Sequence, residues 1–127
     1  MVDSFKHKGL RNKLVEELSN KGINDVKVLD AISKVPRHLF MDSSFIDHAY
    51  QDKAFPIGSG QTISQPFTVA FQTQLLEINK GDKILEIGTG SGYQAAVLCE
   101  MGAKVFTIER IRDIYRKTSA FLPLINY

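Results

Sequence analysis

Apolar positions recur every fourth residue in the first part of this chain. Between Asp3 and Lys21, Leu10, Leu14 and Leu18 fall at that spacing with Val15 beside them, which predicts an amphipathic helix with Gly22 as its C-terminal cap. Asn24 or Asp25 can cap a second helix carrying Val28, Leu29, Ile32 and Val35 on one face, and Pro36 ends or restarts it. Pro36–Phe40 reads as a short turn or helix, and Ser43–Tyr50 as one more short helical piece. Gln51–Gln65 is polar, glycine-rich and without period, so it predicts a loop. Ser64 and Gln65 before Pro66 then mark a helix start. That helix is expected to run to about Ile78 and to bury Phe67, Phe71, Leu75 and Ile78.

Beyond Ile78 the pattern changes. Lys80-Gly81-Asp82 is a turn, and Lys83–Ile87 is a strand, apolar on both faces as a buried parallel strand should be. A helix from Ser91 to about Met101 carries Ala95 and Ala96, small enough to pack closely on a sheet, and Gly102 ends it. Lys104–Glu109 is a second strand, and Ile111, Ile114, Tyr115 and Thr118 line a helix that fades near Pro123. The order β-α-β-α with short turns predicts parallel strands joined by a right-handed crossover.

The junction of the first strand and its helix carries the chemistry. Ile-Leu-Glu-Ile-Gly-Thr-Gly-Ser-Gly-Tyr, residues 84–93, is a strand closed by Gly88, Gly90 and Gly92, and Glu109 stands at the end of the next strand. In dinucleotide-binding folds an acid at about 20 residues' distance accepts ribose hydroxyls. Here the spacing is Gly-x-Gly-x-Gly with Glu86 two positions ahead of it. An acid aimed into that turn would repel a phosphate, which such folds seat on the helix N-terminus. It suits a cofactor with a cationic end, and S-adenosylmethionine has an ammonium, a sulfonium and a ribose. Gly88 and Gly90 are assigned to close approach of that cofactor, and Gly92 to helix–strand packing. Glu109 is assigned to the ribose hydroxyls, Glu86 to the ammonium, and Arg110 is placed to flank the adenine.

Composition narrows the setting. At 127 residues, 43% hydrophobic and 24% charged, the chain is one ordinary globular domain. A net charge of +2 argues against nucleic acid and anionic membranes as partners. The single cysteine, Cys99, excludes an internal disulfide, suits a reducing compartment, and falls where a helix face would use it as core filler. The N-terminus lacks the apolar core of a secretory signal, and no apolar run nears the ~18 residues of a membrane span, so cytoplasm is the expected location. His7, His38 and His48 show no metal-ligand spacing and are expected to be solvated or packing residues; no metal is expected. Arg110, Arg112, Arg116 and Lys117 are read as a solvated helix face. Arg37 is read as a binder of acidic peptide or as half of a surface salt bridge.

Three segments, Gly58-Ser59-Gly60-Gln61-Thr62-Ile63-Ser64-Gln65-Pro66, Leu85–Tyr93 and Ile108-Glu109-Arg110, together resemble the protein-L-isoaspartate (D-aspartate) O-methyltransferase family, as does Val35–Phe40. The resemblance implies an α/β, Rossmann-like S-adenosylmethionine-dependent methyltransferase fold. A helical region over residues 1–50 would precede the first half of that domain over 51–127, the two forming one continuous domain. It implies methyl transfer to the free carboxylate of L-isoaspartyl and D-aspartyl residues in damaged proteins, for their repair. It also implies that Ser64 is the active-site hydroxyl and that Gln61–Ser64 covers the cofactor. The candidate cofactor-binding set is then Gln61, Thr62, Ser64, Glu86, Gly88, Thr89, Gly90, Glu109 and Arg110. A carboxylate nucleophile is already ionised at pH 7, so no general base is needed, and Thr62 and Ser64 can orient it. Ser64 also suits a helix N-cap, and both roles are compatible.

The predicted strand count stands against a complete domain. A doubly wound fold of this kind is usually six-stranded, whereas two strands are predicted here, with unpaired edges and an uncovered apolar face. The expectation is a fragment of a longer enzyme, a truncated reading frame, or a chain completed by a swapped partner. The alternative to the enzyme is a catalytically incomplete assembly module that keeps part of the cofactor site. A methyltransferase for a small molecule or RNA is a third reading, disfavoured for RNA by the lack of basic excess.

Overall fold

A computed structural model describes residues 2–127. Helix α1, Phe5–Asn20, begins at Ser4, whose hydroxyl accepts from the His7 amide, and turns at Gly22 into Ile23. Helix α2, Val26–Lys34, is capped by the Asp25 carboxylate, which accepts from the Lys27 amide. Two short 3₁₀ segments follow, Arg37–Phe40 and Ser43–His48. The α-helices α3, Pro66–Leu75, α4, Tyr93–Glu100, and α5, Arg112–Phe121, with a third 3₁₀ segment at Leu122–Ile125, complete the helical set among the described residues.

Strands β3, Lys83–Ile87, and β4, Lys104–Ile108, pair in parallel with Leu85 opposite Phe106, Glu86 opposite Thr107 and Ile87 opposite Ile108. Helix α4 connects them, as a parallel pair requires a long crossover. Leu14 and Leu18 of α1, Val28 and Ile32 of α2, Val69 and Ala70 of α3, and Ala96 and Val97 of α4 share one core, which Ile63 and Tyr93 join. Helix α4 packs on one side of the β3–β4 pair, where Ile84, Glu86, Val105 and Thr107 are half-buried. The other side bears Leu85, Ile87, Phe106 and Ile108, each more than half exposed. No helix among the described residues is long and apolar enough to cross a membrane.

Several expectations are corrected. The stretch predicted as a loop over 51–65 contains an antiparallel hairpin, β1, Phe55–Gly58, with β2, Gln61–Ile63, and a register shift between Pro56 and Gly58. Strands this short, with Pro56 inside one and glycines between them, leave too few residues to show a period of two. Helix α3 stops at Leu75, and it buries Pro66, Val69, Ala70 and Thr73 rather than Phe71 and Leu75. A spacing of four fits more than one helix face, and here the smaller side chains turn inward. The strands are apolar on both faces, yet only one face is covered. Cys99 is exposed, not core filler. Both Ala95 and Ala96 are buried, as the close-packing reading requires.

The corrected α3 face is open to test by urea denaturation. Val69→Ala, which truncates a buried side chain on the observed face of α3, is expected to cost about 1–3 kcal/mol. Leu75→Ala, at a position 65% exposed, is expected to stay within about 0.5 kcal/mol of the parent. The reverse order would restore the face predicted from spacing.

Candidate active site

The carboxyl ends of β3 and β4 stop level with one another, and the glycine-rich segment after β3 is fastened to β4. The amides of Gly88 and Thr89 both donate to the Ile108 carbonyl, at 2.8 and 3.1 Å. Gly88 has φ +91° with open space where a side chain would stand, so its backbone is bare toward the cleft. At Gly92, φ +86°, an added Cβ would lie 2.9 Å from the Leu122 side chain and 3.0 Å from that of Thr118. Gly92 therefore permits close packing of α5 and the turn after it, not the helix–strand contact predicted for it.

Two acids flank this segment in opposite electrostatic settings. Glu109 accepts from the Gly90 amide with one carboxylate oxygen and from the Ile111 amide with the other, both at 2.9 Å. The Ile111 and Gly90 amides hold its carboxyl below the usual glutamate range. An ionised carboxylate offers about four lone-pair sites, so each oxygen retains capacity for a further donor. Glu86 is pushed above its ordinary value by burial, partly offset by Thr107, whose hydroxyl donates to it at 2.6 Å. Thr107 has one proton and gives it to Glu86, so the Thr89 hydroxyl, 2.6 Å away, donates to Thr107.

Two adjoining clefts open over these groups, of about 450 and 580 Å³. Thr62, Ser64, Gly88 and Gly90 line both; Glu86 and Thr89 belong to the first, and Gln61, Glu109 and Arg110 to the second. The structure thus brings every residue of the predicted cofactor set to one continuous concavity, of the size in which small ligands bind. The first cleft is lined by one carboxylate and no cationic side chain. That lining fits a ligand with a cationic end better than a phosphate.

Ser64 stands exposed at the shared lip. The N-cap position of α3 is Gln65, without a side-chain bond, and the first-turn amide of Phe67 is taken instead by the Asp52 carboxylate at 2.8 Å. The N-cap reading of Ser64 therefore falls away, and among the described residues its hydroxyl makes no hydrogen bond.

A sequence model of the family described as protein-L-isoaspartate (D-aspartate) O-methyltransferase matches residues 9–123. The chain belongs to this family. It is 65% identical over 127 residues to a protein-L-isoaspartate O-methyltransferase of Christiangramia forsetii, and 66% identical over 126 residues to one of Flavobacterium psychrophilum. These alignments cover 100% and 99% of this chain but 60% and 59% of the relatives, so the chain spans about three-fifths of their length. Among solved structures, a protein-L-isoaspartate O-methyltransferase superposes with a TM-score of 0.80 at 28% identity, covering 91% of this chain and 38% of that one. A Plasmodium falciparum chain assigned to the same class, crystallised with S-adenosyl-L-homocysteine, shares the fold with a TM-score of 0.75 at 23% identity, covering 91% of this chain and 56% of that one. The architecture is therefore that of a Rossmann-like S-adenosylmethionine-dependent methyltransferase, preceded by a helical region. S-adenosylmethionine is the cofactor of this family.

Within the family frame, the structure also adds residues and corrects others. Thr107 was not singled out from sequence, although the parallel register places it directly opposite Glu86. Arg37, expected at the surface, is 0% exposed. Asp3, His7 and His38, without ligand spacing in sequence, converge so that one donor atom of each lies within 4.8 Å of the others. Their donors are engaged: both Asp3 oxygens accept from Arg11, His38 bonds Tyr50 and the Val2 carbonyl, and His7 bonds Ser4. His38 is buried and stacked on His7, with ring centroids 3.7 Å apart. Arg110, Arg112, Arg116 and Lys117 are exposed, as a solvated face requires.

The raised Glu86 carboxyl gives a signed pH dependence. A carboxyl with a higher value in the folded state withdraws stability as pH climbs from the ordinary value, 4.5, through the folded one. Glu86→Gln is expected to be more stable than the parent in urea at pH 7, the difference closing as pH falls to about 4, near the unfolded value. An equal difference at both pH values would contradict the burial effect.

Proposed function

We propose that this chain carries the cofactor-binding part of an enzyme that methylates the free carboxylate of L-isoaspartyl and D-aspartyl residues in damaged proteins. Family membership supplies the reaction class, and the observation that supports this reading is the free Ser64 hydroxyl at the lip of a cleft floored by Gly88 and Gly90. When bound, S-adenosylmethionine supplies a methyl carbon on a sulfonium, an electrophile that a carboxylate oxygen attacks with a neutral thioether leaving. Glu109 would take the ribose hydroxyls and Glu86 the ammonium, while the bare backbone at Gly88 lets the cofactor lie close. Thr89, Gln61 and Arg110 complete its contacts. Thr62 and Ser64 would donate hydrogen bonds that orient the substrate carboxylate. That carboxylate is ionised at neutral pH, so the residues need supply no base. Their task is alignment and exclusion of water. Isoaspartyl proteins or peptides are the partners this reading requires, and the cytoplasm is the compartment that suits the lone thiol.

One observation supports a second reading. The apolar face of Leu85, Ile87, Phe106 and Ile108 is uncovered, whereas parallel sheets of such folds are covered on both faces. A module completed by further polypeptide, either a swapped copy or a segment matching the remaining length of the relatives, would use that face and need not act alone.

Transfer of labelled methyl from S-adenosylmethionine to an isoaspartyl peptide, with the aspartyl peptide as control, separates the two. Transfer to the isoaspartyl peptide alone supports the enzyme; cofactor binding without transfer supports the module. Given activity, Ser64→Ala is expected to lower kcat/KM about 10- to 100-fold, the loss of one hydrogen bond to a charged group. Glu109→Gln is expected to weaken S-adenosyl-L-homocysteine binding by about tenfold or more in calorimetry. Unchanged affinity would remove Glu109 from the cofactor set.

A further inference from the structure

We propose that Arg37 is a positioning residue that holds the Ser64 segment in place over the glycine-rich floor of the cleft. This inference rests on the reading of Ser64 given above, and its observations are separate.

Arg37 opens the first 3₁₀ segment directly after Pro36, and its side chain lies wholly inside the protein. Its guanidinium donates to the Ala49 carbonyl at 3.0 Å from Nε, and from Nη2 to the carbonyls of Lys53 at 3.1 Å and Ser64 at 3.0 Å. Among the described residues it forms no salt bridge, although a buried cation is ordinarily paired with an acid. Carbonyl dipoles stand in for the missing carboxylate, and so does the face of Tyr93, whose ring centre is 4.8 Å from the guanidinium carbon. Among the described residues Nη1 has no hydrogen-bond partner.

An apolar side chain of similar volume would fill this space without desolvating a charge. What it could not do is grip three carbonyls from two segments of the chain. Two of those lie in the stretch leading into the β1–β2 hairpin, and the third is Ser64 itself, where the chain leaves the hairpin for α3. The fourth contact, Tyr93, is the first residue of α4 and follows Gly92; it also walls the first cleft. Arg37 therefore ties the lip of the cleft to the helix that starts at its floor. On the other side of Ser64, Asp52 holds the Phe67 amide and is itself bonded to Lys21 at 2.6 Å. With the backbone staked at both sides, the unbonded Ser64 hydroxyl faces the cleft from a fixed base. A lysine keeps the charge but lacks the planar fork that serves several carbonyls at once.

The test compares the full chain with Arg37→Lys in three measurements. First, exchange of the Phe67 amide, three residues beyond Ser64 and held by Asp52, is expected to speed up by about tenfold or more while α5 amides keep their rates. Second, kcat for an isoaspartyl peptide is expected to fall about 10- to 100-fold, as displacement of a positioned group does, while S-adenosyl-L-homocysteine affinity stays within about threefold. Third, in the unmodified protein the Arg37 Nε–H and Nη2–H protons are expected to exchange slowly with water by NMR. A folded Arg37→Lys with parental exchange at Phe67 and parental kcat overturns the proposal. Should that variant not fold, rapid exchange of the Arg37 protons in the parent overturns it. Should the parent transfer no methyl, the proposed function fails, and the two exchange measurements still decide the role of Arg37.

Discussion

The parallel pairing of β3 with β4 sets the position of the glycine-rich segment and of both acids at the cleft. With Ile87 opposite Ile108, the Ile108 carbonyl is left to accept the amides of Gly88 and Thr89, and the glycine-rich segment is bent over the end of β4. That bend delivers the Gly90 amide to Glu109, and the same register stands Thr107 against Glu86. A slip of β3 by one residue would turn its side chains to the opposite face of the sheet. Glu86 would then point at solvent and part from Thr107, and Leu85 would enter the covered side. The register is thus specified by burial on one side alone.

The same pairing produces two carboxylates of different character within one concavity. Glu109 sits among backbone amides that stabilise its charge, whereas burial works against the charge on Glu86, with hydroxyls in line behind it. Pairs of acids driven apart by their surroundings mark functional sites more often than structural ones. Here the direction of each shift has a use. An amide-held carboxylate is a dependable acceptor for neutral hydroxyls. A desolvated one is poorly satisfied alone and binds a cation strongly, because little water must be displaced. Buried Arg37 belongs to the same pattern, a charge kept in the interior where an apolar residue would pack.

Much of this was legible in the residues, for identifiable reasons. Helices α1 and α2 carry long periodic patterns with caps, and β3 and β4 are apolar runs bounded by glycine, so their signals are local. The glycine spacing with Glu86 and Glu109 marked the site because a backbone that must lie bare and acids that must face it are properties of residue type. The hairpin β1–β2 escaped because its two strands are too short for alternation to rise above glycine and proline. The face of α3 was misassigned because Phe71 and Leu75 share a helical spacing with nothing to cover them, whereas small Ala70 and Thr73 meet α2 and α4. Arg37 was out of reach for a different reason. Its partners are carbonyls and an aromatic face, which every sequence contains, so no spacing or complementary charge announces them.

A sheet of two parallel strands with one face bare is an unusual support for a candidate site. The arrangement is tenable because the hydrogen bonds that shape the cleft are independent of the bare face. Gly88, Thr89 and Gly90 are tied to Ile108 and Glu109 across the strand ends, and Ser64 is tied to Arg37 on the covered side. The exposed Leu85, Ile87, Phe106 and Ile108 contribute to neither set. Covering that face would add apolar burial and so stability, but it would leave the register and the lip contacts as they are. Shape at the cleft and stability of the sheet are therefore separable properties of this chain. The first rests on hydrogen bonds of backbone groups to one another and to the side chains of Glu109 and Arg37, and the second depends on what packs against the open face.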